Sequence, residues 1–292
     1  MVSLNLAIGP SCFVRCLGCY NHFGNTYRRG GLVEAAELLD FVALAMQAGV
    51  DQVTLSGGDP LTHPELLPIL KGIFNCGLRI KIDTVGTALL ADARKVFFGE
   101  GITPKVRIRD IAPFVHTLGF PVDGASETTC RHFRTGRSRL LEEVLEAAVA
   151  AKKARISVTI NTVATRENID ELSEMSVLIS GTGADEWQIF EFQPSGPLGS
   201  KNAHRFILEP GVFDDAVARV KAQTTCPGLR IVSKSRAQRE GSYFMVDDAG
   251  LAWLPSSSGI HRIVIGHIKH DRTAVLEHLQ DYVAANAIKN TA

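Results

Sequence analysis

Three of the chain's six cysteines fall within one short segment, Cys12-Phe-Val-Arg-Cys16-Leu-Gly-Cys19-Tyr20. The C-x3-C-x2-C spacing lets three thiolates on a tight loop hold three irons of a cubane iron–sulfur cluster. The fourth iron then has no protein ligand and is open to a substrate or cofactor. A fully ligated electron-transfer cluster is not open in this way. Two plainer readings stand beside this one. His22 could complete a four-ligand zinc site, although zinc sites commonly use paired C-x2-C halves and no second pair exists here. The cysteines could also be buried apolar side chains, although core cysteines rarely cluster on a loop.

The elements that must position this loop are legible in the hydrophobic pattern. Short β-branched runs predict strands at 4–8, 52–55, 78–82, 114–120, 155–163 and 186–192. Amphipathic runs between them predict helices at 32–47, from a Thr62/Glu65 capping box through Phe74, at 89–98, 140–152 and 169–179. Gly77 stops the second of these, and residues 101–113 show no clear period. Six β/α units in succession mean a parallel sheet with right-handed crossovers, an α/β fold. After Phe192 the pattern changes. A turn-rich stretch, QPSGPLGSKN, leads to a helix from Pro210, short strands at 229–232, 243–246 and 251–254, and a last helix at 273–285. Residues 193–292 are expected to be a small α+β extension that packs on the body formed by 1–192.

Composition narrows the function classes. Of 292 residues, 31 are Lys or Arg and 31 are Asp or Glu, so the formal net charge is zero and no global field collects polyanions. A nucleic-acid partner is not expected. No apolar run reaches the roughly 18 residues of a membrane span, and the N-terminal residues do not resemble a secretory signal. A cytoplasmic, membrane-free protein with reduced cysteines is the expectation.

A second motif joins the cysteine loop. Thr54-Leu-Ser-Gly-Gly-Asp-Pro60 ends the second predicted strand. Alone it would be a turn. Together with the C-x3-C-x2-C loop and the aromatic Tyr20, it resembles the GGEP motif of the radical S-adenosylmethionine (SAM) superfamily, with Asp59 in place of Glu. Glycine at 57 and 58 lets backbone approach a ligand with no Cβ in the way. Thr84-Val-Gly86 resembles the family's Thr-Asn-Gly, and Pro121-Val-Asp-Gly124 its Ser-Leu-Asp-Gly. Phe133-Arg-Thr-Gly-Arg-Ser138, Ile160-Asn-Thr-Val163 and Arg166-Glu-Asn168 resemble later segments. The resemblance covers residues 3–192 and implies a partial (β/α)6 TIM-type barrel, with ligands at the carboxyl ends of the strands.

What the resemblance implies is a [4Fe–4S] cluster held by Cys12, Cys16 and Cys19, with SAM chelated at the open iron. One electron would cleave SAM to a 5′-deoxyadenosyl radical, which would abstract hydrogen from a small-molecule or peptide substrate in specialised metabolism. The SAM-contacting residues expected are Tyr20, Gly57, Gly58, Asp59, Pro60, Thr84, Ser126 (in place of the serine that Pro121 replaces), Arg137 and Asn161. Cys130, Glu191 and His22 are the catalytic candidates, Glu191 as a holder of a cationic substrate if it points inward. Cys76, Cys130 and Cys226 are too scattered for an auxiliary-cluster domain. A flavodoxin- or ferredoxin-type electron donor is the expected partner. The alternatives are a viperin-like nucleotide-modifying enzyme, a glycyl-radical-enzyme activase, or an iron–sulfur or zinc carrier without catalysis.

Overall fold

The computed structural model describes residues 1–20, 32–239, 242–256 and 261–289. Strands β1 (Ser3–Ala7), β2 (Gln52–Ser56), β3 (Arg79–Asp83), β4 (Thr117–Pro121), β5 (Ser157–Ala164) and β6 (Glu186–Glu191) lie side by side in chain order. Every neighbouring pair among them is parallel. The crossovers carry helices α1 (Ala35–Gln47), α2 (Leu66–Asn75), α3 (Glu127–Phe133), α4 (Leu140–Lys153) and α5 (Leu172–Gly181).

Strand alternation divides the sheet into two chemically different faces. Leu4, Leu6, Val53, Leu55, Ile80, Ile82, Leu118, Phe120, Ile160, Trp187 and Ile189 are all fully buried. They form the apolar face that the helices cover, and α1 meets it with Leu38, Phe41, Val42 and Ala45 at helical spacing. Residues one step along each strand line a central cavity instead, among them Asn5, Thr54, Lys81, Gly119, Asn161 and Gln188. The hydrophobic core therefore lies between sheet and helices, and the concave face of the sheet is polar.

Residues after 192 extend this sheet at both edges. β7 (Arg230–Lys234) pairs parallel with β6. β8 (Phe244–Val246) pairs parallel with β1, and β9 (Leu251–Pro255) and β10 (Arg262–His267) follow it antiparallel. The ten strands run in the order β7-β6-β5-β4-β3-β2-β1-β8-β9-β10, so β7 and β8 are not paired. Only residues 235–243 join them. Across this seam Lys234 Nζ donates to the Tyr243 hydroxyl at 3.4 Å. Helix α6 (Val212–Gln223) covers the β6 side, while α7 (Arg272–Lys289) anchors the other side through Tyr282, whose hydroxyl donates to the Ser242 carbonyl at 3.1 Å. No helix among the described residues is long and apolar enough to cross a membrane.

Three expectations about local structure are corrected. The helix expected at 89–98 is one turn, Thr87–Leu90, after which Ala93–Arg94 pairs with Ile102–Thr103. The backbone at Val96–Phe98 is occupied by the cysteine loop, as described below. The capping box at Thr62 and Glu65 does not form, because the Thr62 hydroxyl donates to the Asp59 and Ser11 carbonyls at 2.7 and 3.1 Å; α2 starts at Leu66 with no side-chain cap. Glu191 does not point inward as a cation holder would have to: alternation turns Phe190 into the cavity while Glu191 takes the Trp187 side.

Trp187 ties the sheet together beneath α5, its indole N–H donating to Thr162 Oγ1 at 2.8 Å. Thr162 in turn donates to the Val122 carbonyl at 2.6 Å. Trp187→Ala should cost about 3–5 kcal/mol of unfolding free energy, read as a lowered denaturant midpoint.

Candidate active site

The cysteine loop is gripped from three sides by distant segments. The Cys12 N–H donates to the Phe97 carbonyl at 2.9 Å, and Val96 N–H returns a bond to the Cys12 carbonyl at 2.9 Å. Arg15–Cys16 pairs antiparallel with Arg134–Thr135. Leu17 N–H donates to the Phe133 carbonyl at 2.9 Å, and Asn202 donates to the Leu17 carbonyl at 2.8 Å. Gly18 sits on an edge-to-face trio of Phe133, Phe192 and Phe206. A Cβ at Gly18 would lie 2.7 Å from two of those rings, so a larger residue there would have to displace the trio.

The Gly57–Pro60 loop is stitched to the same segment. Gly58 N–H donates to the Gly9 carbonyl at 2.6 Å and Asp59 N–H to the Ser11 carbonyl at 2.7 Å. A Cβ on Gly58 would lie 2.1 Å from the Ser11 carbonyl oxygen, and one on Gly57 2.5 Å from that of Gly9. Gly57 also has φ of 128°, in the region that favours glycine. Both glycines are thus required by loop-to-loop contact before any ligand is considered. The Asp59 carboxylate points away into the protein, 2% exposed. It accepts from Leu61 N–H at 3.0 Å, Val85 N–H at 2.9 Å and the Thr84 hydroxyl at 2.8 Å. Burial pushes its pKa up to about 6 against those bonds. Asp59 and Thr84 therefore lock the ends of β2 and β3 together.

The electrostatics of the cysteines favour a cation. Burial, then the Asp59 carboxylate and Cys16, hold the Cys12 thiol well above its ordinary range. Burial also raises Cys16, partly opposed by Arg134, whose Nη1 donates to its sulfur at 3.1 Å. Arg134 is aimed by the fully buried Asp123, which accepts from its Nε and from Val163 N–H at 2.7 Å. Buried thiols of this kind ionise when a soft metal centre supplies the opposing charge. Among the described residues no three His, Cys, Asp or Glu side chains converge as a single-ion site would require. A cubane makes no such demand, because each thiolate takes a different iron.

Cys12, Cys16 and Cys19 all line the central cavity, of about 800 Å³, together with Gly57, Gly58 and Asp59. Thr84, Asn161 and Tyr20 line it too, Tyr20 at 39% exposure. The Asn161 amide donates to Asp83 at 3.0 Å, while its carboxamide oxygen is buried with no partner among the described residues, a polar acceptor left for a ligand. The donor set, the glycine loop and this orphaned oxygen together fit an iron–sulfur cluster with SAM. A shallower depression between α4 and α5 carries none of these residues.

Other expected residues lie off the cavity. Arg137 forms a two-pronged ion pair with Glu143, both bonds 2.7 Å. Ser126 caps α3, accepting from Thr129 N–H at 3.1 Å. Pro60 is buried in the turn after the loop. Cys130 is buried in α3, its thiol donating to the Gly124 carbonyl at 3.6 Å and pushed up to about 12 chiefly by burial. Glu191 accepts from Arg236 Nε at 2.7 Å and Arg236 N–H at 2.9 Å. His22 lies outside the described residues. The residues that sequence reasoning passed over are Arg134 and Asp123. Both stood inside quoted motifs, but nothing local distinguished Arg134 from the other arginines of its run.

Comparison with known proteins gives consistent results. Residues 6–179 match the family model of the Radical SAM superfamily. An AdoMet-dependent heme synthase of Methanosarcina barkeri is 29% identical over 247 residues, 82% of this chain and 66% of that protein. An S-adenosylmethionine-dependent nucleotide dehydratase of Flammeovirga pacifica is 21% identical over 85% of this chain and 80% of its own length. Streptococcus suis SuiB bound to its precursor peptide SuiA shares the fold, with a TM-score of 0.68 at 14% identity, over 96% of this chain and 65% of SuiB. The chain spans about two thirds of the heme synthase and of SuiB.

Gly58→Ala should force the two loops apart and break both stitches. The expected outcome is a loss of at least about 2 kcal/mol of stability and substoichiometric iron after reconstitution. Full iron loading with unchanged stability would refute this account of Gly58.

Proposed function

The chain belongs to the radical SAM superfamily, and from that premise we propose that it is an enzyme that uses a [4Fe–4S] cluster and SAM to act on a small-molecule or peptide substrate. One observation carries the reading: Cys12, Cys16, Cys19 and the Gly57–Asp59 loop line one cavity. A bound cluster would supply the electron for reductive cleavage of SAM, and with it the radical chemistry that would remove hydrogen from the substrate.

The chain's own residues do the positioning. Cys12, Cys16 and Cys19 would hold three irons of the cluster. The Arg134 hydrogen bond to the Cys16 sulfur stabilises its thiolate and tunes the cluster from outside the ligand set. The Gly57–Asp59 backbone and the free oxygen of Asn161 face SAM, with Tyr20 at the rim. The polar concave face orients the substrate, and the helices covering the outer face keep bulk water from the sheet's core. We read 1–192 as the part that carries cluster and SAM, and 193–292 as the part that completes the substrate wall. A flavodoxin- or ferredoxin-type protein would deliver the electron, in the cytoplasm.

The test is anaerobic. The protein is reconstituted with iron and sulfide, reduced and given SAM. 5′-Deoxyadenosine should form, a SAM-dependent change should appear in the cluster's EPR signal, and Cys12→Ala, Cys16→Ala and Cys19→Ala should each abolish both. A site that fills with zinc and leaves SAM unbound would instead make the chain a metal carrier.

A further inference from the structure

The charges along the cavity wall nearly cancel in pairs. Arg134 is matched by Asp123, Lys81 by Asp83 at 3.3 Å, and Arg262 by Asp247 at 2.7 Å. Glu186 is matched by Arg230, and Asp185 by Lys152 at 2.6 Å. Apart from the exposed Arg79, two half-buried cations of the wall are left over, Lys234 at the end of β7 and Arg239 in the connection to β8. Neither closes an ion pair among the described residues. Glu191, whose carbonyl Arg239 reaches, has its carboxylate already held by Arg236 through side chain and backbone.

Both cations stand on aromatic rings. Lys234 Nζ lies 5.6 Å from the Phe190 ring centroid and 5.3 Å from that of Tyr243. Its only hydrogen bond among the described residues is the long one to the Tyr243 hydroxyl, which leaves two ammonium protons unused. The Arg239 guanidinium carbon lies 6.0 Å from the Phe190 centroid. One end of Arg239 donates to the Glu191 carbonyl, while its Nε is buried with no partner among the described residues. Burial works against its charge, and Tyr243 and Glu191 oppose that only in part. Two half-buried cations with spare donors, over apolar floors at the unpaired seam of a barrel, call for an anionic acceptor.

We propose that this seam is an anion-binding subsite, in which Lys234 and Arg239 hold a carboxylate or phosphate group of the substrate above the Phe190 and Tyr243 rings. The inference rests on the reading of the cavity as a substrate site and gives that substrate a chemical class. It also reverses the expectation attached to Glu191, because this wall selects an anion rather than a cation. The remainder of the substrate would extend from the seam into the cavity that the three cysteines line.

The reconstituted full chain provides the test. Binding of inorganic phosphate is followed by 31P line broadening. Binding of a fluorescent peptide of alternating Glu and Gly, and of its Gln twin, is followed by anisotropy. The wild type should bind phosphate or the Glu peptide and discriminate against the Gln twin. Affinity should fall at least about tenfold in the Lys234→Met/Arg239→Gln double variant. A charge-preserving Lys234→Arg/Arg239→Lys protein should retain binding, which separates lost charge from lost folding. Preference for phosphate would point to a phosphorylated small molecule or nucleotide, and preference for the Glu peptide to a carboxylate. The proposal is overturned if neither anion binds the wild type, or if the double variant binds as tightly. It is also overturned if the double variant loses the SAM-dependent EPR change, since the two cations would then serve SAM. Absence of that change in the wild type would sink the enzyme reading alone, leaving the anion result to stand by itself.

Discussion

Two backbone hydrogen bonds, from Gly58 to Gly9 and from Asp59 to Ser11, are the constraint on which the site depends. They bring the loop after β2 against the segment that leads into the cysteines, at a distance that admits no Cβ. Everything else at the carboxyl ends of the strands is referenced to this contact. Asp59 carries the constraint outward by binding Thr84 and Val85 at the end of β3. Its burial is costly for a carboxylate, and three donors offset part of that cost. The result is a rigid rim made from three consecutive β/α loops.

The cysteine loop adds a second, electrostatic requirement. Two buried thiols, Cys12 and Cys16, and the half-buried Cys19 cannot all ionise beside a buried carboxylate without compensating charge. Arg134 supplies part of it at Cys16, and Asp123 fixes where that guanidinium points. Asp123 also binds the backbone of β5 at Val163, so the position of one arginine is tied to the sheet itself. A metal cluster would supply the rest. This is how a fold whose core lies between sheet and helices places charged chemistry on the opposite face of the same strands.

The residues after 192 change the character of that face. Without β7 the inner wall would end at β6, with Phe190 facing open space. With β7 and the connection to β8, the wall continues through Lys234 and Arg239 to Tyr243, and β8 resumes the sheet beside β1. The seam stays unpaired in backbone terms, so side chains rather than a hydrogen-bond ladder close it. Side chains with spare donors can take a ligand, whereas ladder groups are already satisfied.

The cysteine spacing, the GGDP turn and the six parallel β/α units were legible because each is a property of contiguous residues: thiol spacing, turn glycines and a period of two or 3.6. The same local logic failed where a segment's backbone was claimed from afar, as at Val96–Phe98 and Thr62, which bind the cysteine segment instead of building or capping a helix. It also failed within the Phe133–Ser138 motif. Arg137 and Arg134 look alike in sequence, yet one pairs with Glu143 and the other crosses 118 positions to reach Cys16. Lys234, Arg239 and the fate of Glu191 belong to the same class. Which charge is neutralised and which is left facing the cavity depends on which strands become neighbours, and only the closed sheet decides that.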